Sequence, residues 1–510
     1  MKKTGVILAG LAVSIGCFAM DLSGTPESSA PPSGRGERFE SDCLRLYPVP
    51  AEFPLAMPEA ALTVRVDGHA LGLYVDRNFW QGLVHFASFD FDPAQPVTVE
   101  IELPETVKTF RLLPEKYGLR PERQGRTVSF TVAEPDSMIT LVTDENYRTA
   151  PVLHLFANAI DPDAPSGSTP NVCYFGPGYH DLQAETGSDE LVVSGSETVY
   201  LASGAVVDGK IALAHADGAA VRGHGMLMRN RYEGMLLTTG FSRNITYDGF
   251  LLYNSRPQCW TAGTHEADGV EVSNVKVIAP HYASTDGFDL VNSRNLHFVN
   301  TFVRASDDAV VIKGLADGLP ADCPPNENML FEQMQLWNDC NNAFNMGAEA
   351  RAAAYRNITL KDSDILFSYD DPHHHGKLDE RSTMSISVVH GTFFENIRFE
   401  NIRVNRCERL ICLTFLESFW FGSLPGEQET PGGMRDITFR QISSPNRSES
   451  PIANQILLHG WPGTGDTPVK RIENLRFEDV TIRGKPLTTD SEHFRIDTPE
   501  LVDFEVVGAE

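Results

Sequence analysis

The residues with the clearest chemical potential lie between Ser284 and Gly314, where an acidic cluster followed by an alternating apolar strand occurs twice. Phe288 and Leu290 recur as Val310 and Ile312, each 22 residues later. On that register Asp286 stacks on Asp308, with Asp307 immediately beside it. Parallel strands lie about 4.8 Å apart, so a 22-residue coil gathers three carboxylates in one small patch. Like charges that close raise one another's pKa values, which lets one carboxyl keep its proton while its neighbours ionise. An acid and a base flanking a scissile bond are the equipment for glycoside hydrolysis.

Such a patch needs a scaffold that repeats. After a linker of Asp161, Pro162, Asp163, Ala164, Pro165, Ser166, Gly167 and Ser168, a pattern of alternating apolar residues and a turn-forming polar residue returns many times. Instances start at Ile245, Val270, Leu296, Met329, Ile358, Ile397, Ile437 and Leu475, first at spacings of 25 and 26 residues and then wider as loops are inserted. Period-two strands with a turn residue at a fixed offset predict an all-β architecture, a parallel β-helix. The Asn and Asp side chains at the turns are expected to stack as a hydrogen-bonded ladder inside the coil. Upstream, Leu46 to Val142 reads as short alternating strands, among them Leu62–Val66, Val97–Ile101 and Val128–Val132. Their spacing predicts a small β-sandwich. The expected divisions are a signal at 1–20, a tether at 21–40, a sandwich at 41–160 and the β-helix at 161–510.

The motif Ser284, Thr285, Asp286, Gly287, Phe288, Asp289, followed by Ser306, Asp307, Asp308, resembles the Asn-Thr-Asp and Asp-Asp elements of family 28 glycoside hydrolases, the polygalacturonases. The segment from Asn171 to Leu182, with the sandwich before it, is more similar to family 49, the dextranases and isopullulanases. The resemblance covers roughly residues 170 to 405 and implies a right-handed parallel β-helix of the pectin-lyase type that hydrolyses with inversion. It also implies roles: Asp307 as the general acid, and Asp286 and Asp308 holding and activating the water. The alternative is that these aspartates merely cap turns, as expected of Asp248 and Asp362.

Departures from the family 28 pattern bear on substrate. Asn342 stands where that family carries a histidine, with Phe344 and Met346 in the inward slots. Thr383, Met384, Ser385, Ile386 and Ser387 fall where an Arg-x-Lys pair grips a uronate carboxylate. Cations there would supply charge-assisted hydrogen bonds; hydroxyls suit a neutral sugar better. Lys377 or Arg381 from the preceding loop is a substitute for that pair.

Further substrate-binding candidates are Asp289, Lys313, Asn342, His281, Tyr282, Trp260, His374 and His390. Lys313 projects from the strand after Asp308, Trp260 lies one coil earlier, and His281 and Tyr282 lead into the first acidic motif. Aromatic faces stack on sugar rings, although a core position serves Trp260 equally well. The run Asp370, Asp371, Pro372, His373, His374, His375 invites a metal reading, but zinc sites draw ligands from separated positions. A subsite loop is preferred, and neither metal nor cofactor is expected.

A formal charge of −27 argues against nucleic acid or an anionic membrane as partner. Lys2 and Lys3 precede an apolar run from Val6 to Ala19, too short to span a bilayer, which reads as an export signal. Cleavage before Cys17 with lipidation competes with ordinary signal cleavage. The location expected is secreted, periplasmic or outer-membrane lipoprotein of a bacterium. Seven cysteines lie beyond the signal, so at least one stays out of any intrachain disulfide. Cys323 with Cys340, and Cys407 with Cys412, are pairing candidates beside the alternative of buried thiols.

The leading functional expectation is a secreted, inverting, dextranase-like glycosidase acting on an α-linked, neutral poly- or oligosaccharide. A polygalacturonase-type pectin hydrolase is the nearest alternative. A β-helix lyase would need Arg or Lys and often Ca²⁺ against a uronate, and a non-catalytic glycan-binding protein would not need the aspartate set.

Overall fold

The computed structural model describes residues 35–230, 233–370, 381–416, 431–446, 448–463, 465 and 468–508. The segment expected to be an export signal, Cys17, His374 and Lys377, with nearly all of the loops around 371–379 and 418–433, lie outside the described residues.

Two stacked antiparallel-rich sheets come first. One has seven strands and runs through Leu83–Phe91, Val152–Ala159 and Ser137–Thr143; the other has five, centred on Val97–Glu102. The three alternating segments read from sequence are neighbours in the five-stranded sheet, Thr63–Val66 beside Val97–Glu102 beside Thr127–Val132. Their alternate residues, such as Val64, Val99 and Phe130, form the apolar core between the sheets.

The rest is a parallel β-helix. Coils give one strand to an eleven-stranded sheet and two to a sheet of twenty-two strands, counted among the described residues. The recurring apolar positions are one ladder of Cα partners, from Ile245 through Val270, Leu296, Met329, Ile358, Ile397 and Ile437 to Leu475. Two residues on, Phe399, Phe439 and Phe477 stack with centroids 4.7 and 5.4 Å apart, filling the core with one aromatic column. Phe288 pairs with Val310 and Leu290 with Ile312, as the 22-residue repeat predicts.

The polar ladder differs in position from expectation. Asn274, Asn300, Asp362 and Asn401 adopt left-handed φ values between 45° and 54°, which Asn and Asp tolerate because their short side chains hydrogen-bond locally. Asn300 donates to Asn274 at 2.9 Å and Asn401 to Asp362 at 2.7 Å. These residues are exposed or half-buried, so the ladder runs along the outer edge of the turn and not inside the coil. A second ladder joins Asn295, Asn328, Asn357 and Asn396, exposed residues of left-handed φ within successive strands. The coil interior is apolar, and there an amide would need a partner for every polar atom.

The sandwich packs on the outer face of the helix through Phe86, Met138 and Phe156, which meet Tyr253, Phe302 and Trp337 in a shared core. No disulfide joins the described cysteines; Cys323, Cys340, Cys407 and Cys412 are buried thiols. Among the described residues no helix is long and apolar enough to cross a membrane.

Candidate active site

The eleven-stranded sheet points alternate residues outward. Phe288, Leu290, Val310, Ile312, Phe344 and Met346 fill the core, so Asp289, Val311 and Asn345 line the outer face in one column. The turns entering these strands carry the carboxylates. The Gly287 amide donates to Asp308 O and the Ala309 amide to Asn342 O, stacking Asp286, Asp308 and Asn342 on successive coils.

Each carboxylate is held differently. Asp308 is buried; its Oδ1 accepts from Asn342 Nδ2 at 2.8 Å and Asn342 N at 3.1 Å, and its Oδ2 from Asn345 Nδ2 at 3.1 Å. Asp286 Oδ2 lies 3.1 Å from Lys313 Nζ. Asp307 is only partly buried; its Oδ2 accepts the Ser284 amide at 2.7 Å, and its Oδ1 accepts Asn341 Nδ2 and the Asp308 amide. Asp307 is thus the most accessible of the three. A partly exposed carboxyl beside two buried ones suits proton delivery to a leaving oxygen.

One ammonium contacts two of these carboxylates, and burial raises the pKa values of the buried ones. Burial pushes Asp289 up to about 7 against the pull of Lys313, and burial with the charges of Asp286 and Asp307 pushes Asp308 up to about 8. Asp286 is held well above its ordinary range by burial and by Asp289, again opposed by Lys313. Burial works against the Lys313 ammonium, yet Asp286 and Asp289 hold its pKa well above the usual lysine value.

The sequence expectation for Lys313 therefore changes. It is buried, 2.8 Å from Asp289 Oδ1 and capped by the Trp260 ring at 4.0 Å, so its charge is directed to the aspartates and not to an incoming sugar. Trp260 is half-buried over that ammonium, which joins it to the site and not to the core. Asn342 is buried and directed to Asp308, a positioning contact more than a sugar contact. Asp289 is fully buried, and its Oδ1 is held by the Lys313 ammonium at 2.8 Å. His281 turns toward the sandwich, its Nε2 2.9 Å from Asp76 Oδ2. Tyr282 is partly exposed and meets Phe79 edge-on at 5.3 Å. His390 is buried, and its Nδ1 takes the Ala350 amide at 3.2 Å, which places it in the strand packing and not on a rim.

Sequence reasoning missed the contribution of the sandwich. Its hairpin tip, Asn78–Gly82, brings Phe79 and Trp80 to the segments around Tyr282 and Asp339. No periodicity marks those two aromatics, because Tyr282 and Asp339 lie 203 and 259 residues away in sequence. Among the described residues no three His, Cys, Asp or Glu side chains are arranged to hold a metal ion.

Residues 164–331 match the family model described as Glycosyl hydrolases family 28. Dex49A from Penicillium minioluteum is similar in structure, with a TM-score of 0.66 at 12% identity over 93% of this chain and 100% of that one. The family 28 exopolygalacturonase of Yersinia enterocolitica is more distant, with a TM-score of 0.43 at 11% identity over 86% of this chain and 98% of that one. A search of curated proteins finds no match. With the family model spanning both acidic motifs, the chain is a parallel β-helix glycoside hydrolase resembling families 28 and 49.

Proposed function

We propose that this hydrolase is an exported, inverting enzyme that cleaves α-glycosidic bonds in a neutral poly- or oligosaccharide, in the manner of a dextranase. Asp307 donates the proton to the leaving oxygen, and Asp286 and Asp308 hold and activate the water. One observation carries the neutral-sugar reading: the outward residues of Met384–Val388 are Ser385 and Ser387, and Arg381, the described cation expected from sequence to replace the missing pair, is already paired. Arg381 is buried, with its Nη1 2.9 Å from Asp370 Oδ1 and in contact with the Cys340 carbonyl. A guanidinium already neutralised by a buried carboxylate offers little to a uronate.

A screen of purified protein against dextran, pullulan, polygalacturonate and α-linked oligosaccharides tests the reading. A neutral α-glucan should be the best substrate. Efficient hydrolysis of polygalacturonate, lost on Arg381→Ala, would replace it with the pectin-hydrolase alternative. Export rests on the sequence of residues 1–20 and is tested by fractionating cells that produce the full chain, with labelled palmitate to detect lipid on Cys17.

A further inference from the structure

The two oxygens of Asp307 are tied to two different segments, and the sandwich hairpin pins both. Oδ2 accepts the amide of Ser284, in the segment 280–286. The Phe79 amide donates to Pro280 O at 3.1 Å, the Phe79 ring packs on Tyr282, and Asp76 Oδ2 lies 2.9 Å from His281 Nε2. Oδ1 accepts from Asn341, in the turn 338–342. Trp80 Nε1 donates to the Asp339 carbonyl of that turn at 3.4 Å.

A second tether reaches the same turn through a fully buried ion pair. The Asp339 carboxylate accepts from Arg304 Nε at 3.2 Å and Nη2 at 3.1 Å. Arg304 Nη1 donates to Nε2 of His154, a sandwich residue, at 3.0 Å. Burial and the Arg304 charge hold His154 neutral, so Nε2 is free to accept while Nδ1–H donates to Thr140 Oγ1.

The hairpin is itself built to be rigid. Asn78 is buried, with Nδ2 donating to Arg148 O and Oδ1 accepting the Gly82 amide, both at 2.8 Å. A Cβ at Gly82 would sit 2.1 Å from Arg148 O, so only glycine permits this approach. Asp286, by contrast, is held from within the helix by Lys313, and Asp308 by Asn345 as well as by Asn342 at the end of that turn.

We propose that Phe79 and Trp80 are positioning residues for the proton donor, making the sandwich part of the catalytic apparatus. This rests on the assignment of Asp307 as the acid. Displacing a catalytic group by about 1 Å costs up to roughly a hundredfold in rate, and the displacement here falls on the acid more than on the water-holding pair.

The test uses the full chain and the variants Phe79→Ala, Trp80→Phe and their double, with dextran, pullulan and polygalacturonate as substrates and an α-glucosyl fluoride, whose leaving group needs no proton. For the glycan that the wild type cleaves, kcat should fall roughly tenfold to a hundredfold with KM within about threefold. The fluoride rate should change less than about threefold. Amide exchange should quicken in 280–286 and 338–342 while the strands stay protected. Trp80→Phe removes the bond to Asp339 while keeping an aromatic ring beside Phe79 and Arg148, and circular dichroism of each variant controls for misfolding. Unchanged kcat, or an equal loss on glycan and fluoride, would overturn the positioning role while leaving the hydrolase reading intact. Cleavage of none of these substrates by the wild type would overturn the acid assignment and this proposal with it.

Discussion

Lys313 places one ammonium 3.1 Å from Asp286 and 2.8 Å from Asp289, beneath the face of Trp260. In water a lysine paired to an aspartate contributes little, but here both partners are nearly removed from solvent, and breaking such a pair strands a charge. The lysine therefore pulls the pKa of Asp286 down against the burial and the Asp289 charge that hold it well above its ordinary range.

Replacing Lys313 with Met should move the acid limb of the kcat/KM profile to higher pH. The ammonium lowers the pKa of Asp286 and Asp289 against burial, so its removal raises both, and the base becomes ionised only at higher pH. A pH–rate profile of wild type and variant, with folding checked by circular dichroism, measures this. An unmoved acid limb would show that Asp286 is not the titrating base.

The same burial predicts how stability follows pH. Asp308 and Asp289 have folded-state pKa values of about 8 and 7, raised by burial above the unfolded value near 4. Between those limits the folded state holds more protons than the unfolded one, so these groups take stability away as pH rises from about 4 to about 8. Asp308→Asn cannot lose a proton, so the gap between variant and wild type should widen in the variant's favour across that window. Denaturant titrations at pH 5 and pH 8 check the sign.

The shared core of sandwich and helix should be energetically costly to disrupt. Trp337 is fully buried, stacks near Tyr147 and Phe367, and donates its Nε1 to Asp339 Oδ1 at 2.9 Å. Trp337→Ala leaves a cavity there and should cost about 3–5 kcal/mol. It also frees an acceptor beside the turn that holds Asp307. Unfolding curves followed by sandwich and helix probes should show both units weakened together.

What could be read in the chain was whatever repeats locally. The ladder from Ile245 to Leu475, and the stacking of Asp286 on Asp308, follow from period-two strands at a near-constant spacing. Lys313 was legible as a site residue, but its direction was not: a four-carbon stem reaches either the sugar or its own aspartates, and only burial decides. His390 shows the reverse case, a polar residue near a strand end that the packing of Ala350 encloses. Phe79 and Trp80 were invisible because their role comes from docking two units, a long-range fact that carries no local pattern.

The decisive prediction concerns Asp307. Asp307→Asn should preserve fold and glycan binding while lowering turnover by several orders of magnitude, of which general acid help contributes roughly 10²–10⁴-fold. An asparagine oxygen can still accept the Ser284 amide, while its Nδ2 replaces the oxygen that accepts from Asn341 and the Asp308 amide, so the Asn341 amide must turn to present its oxygen. A substrate whose leaving group needs little protonation should be much less affected. Asp286→Asn and Asp308→Asn should show no such rescue, since water must be activated whatever departs. The first sugar released should carry the inverted anomeric configuration, read by proton NMR early in the reaction. Retention would sink the assignment, because a double displacement has no place for two carboxylates holding a water; near-normal activity in all three variants would do the same.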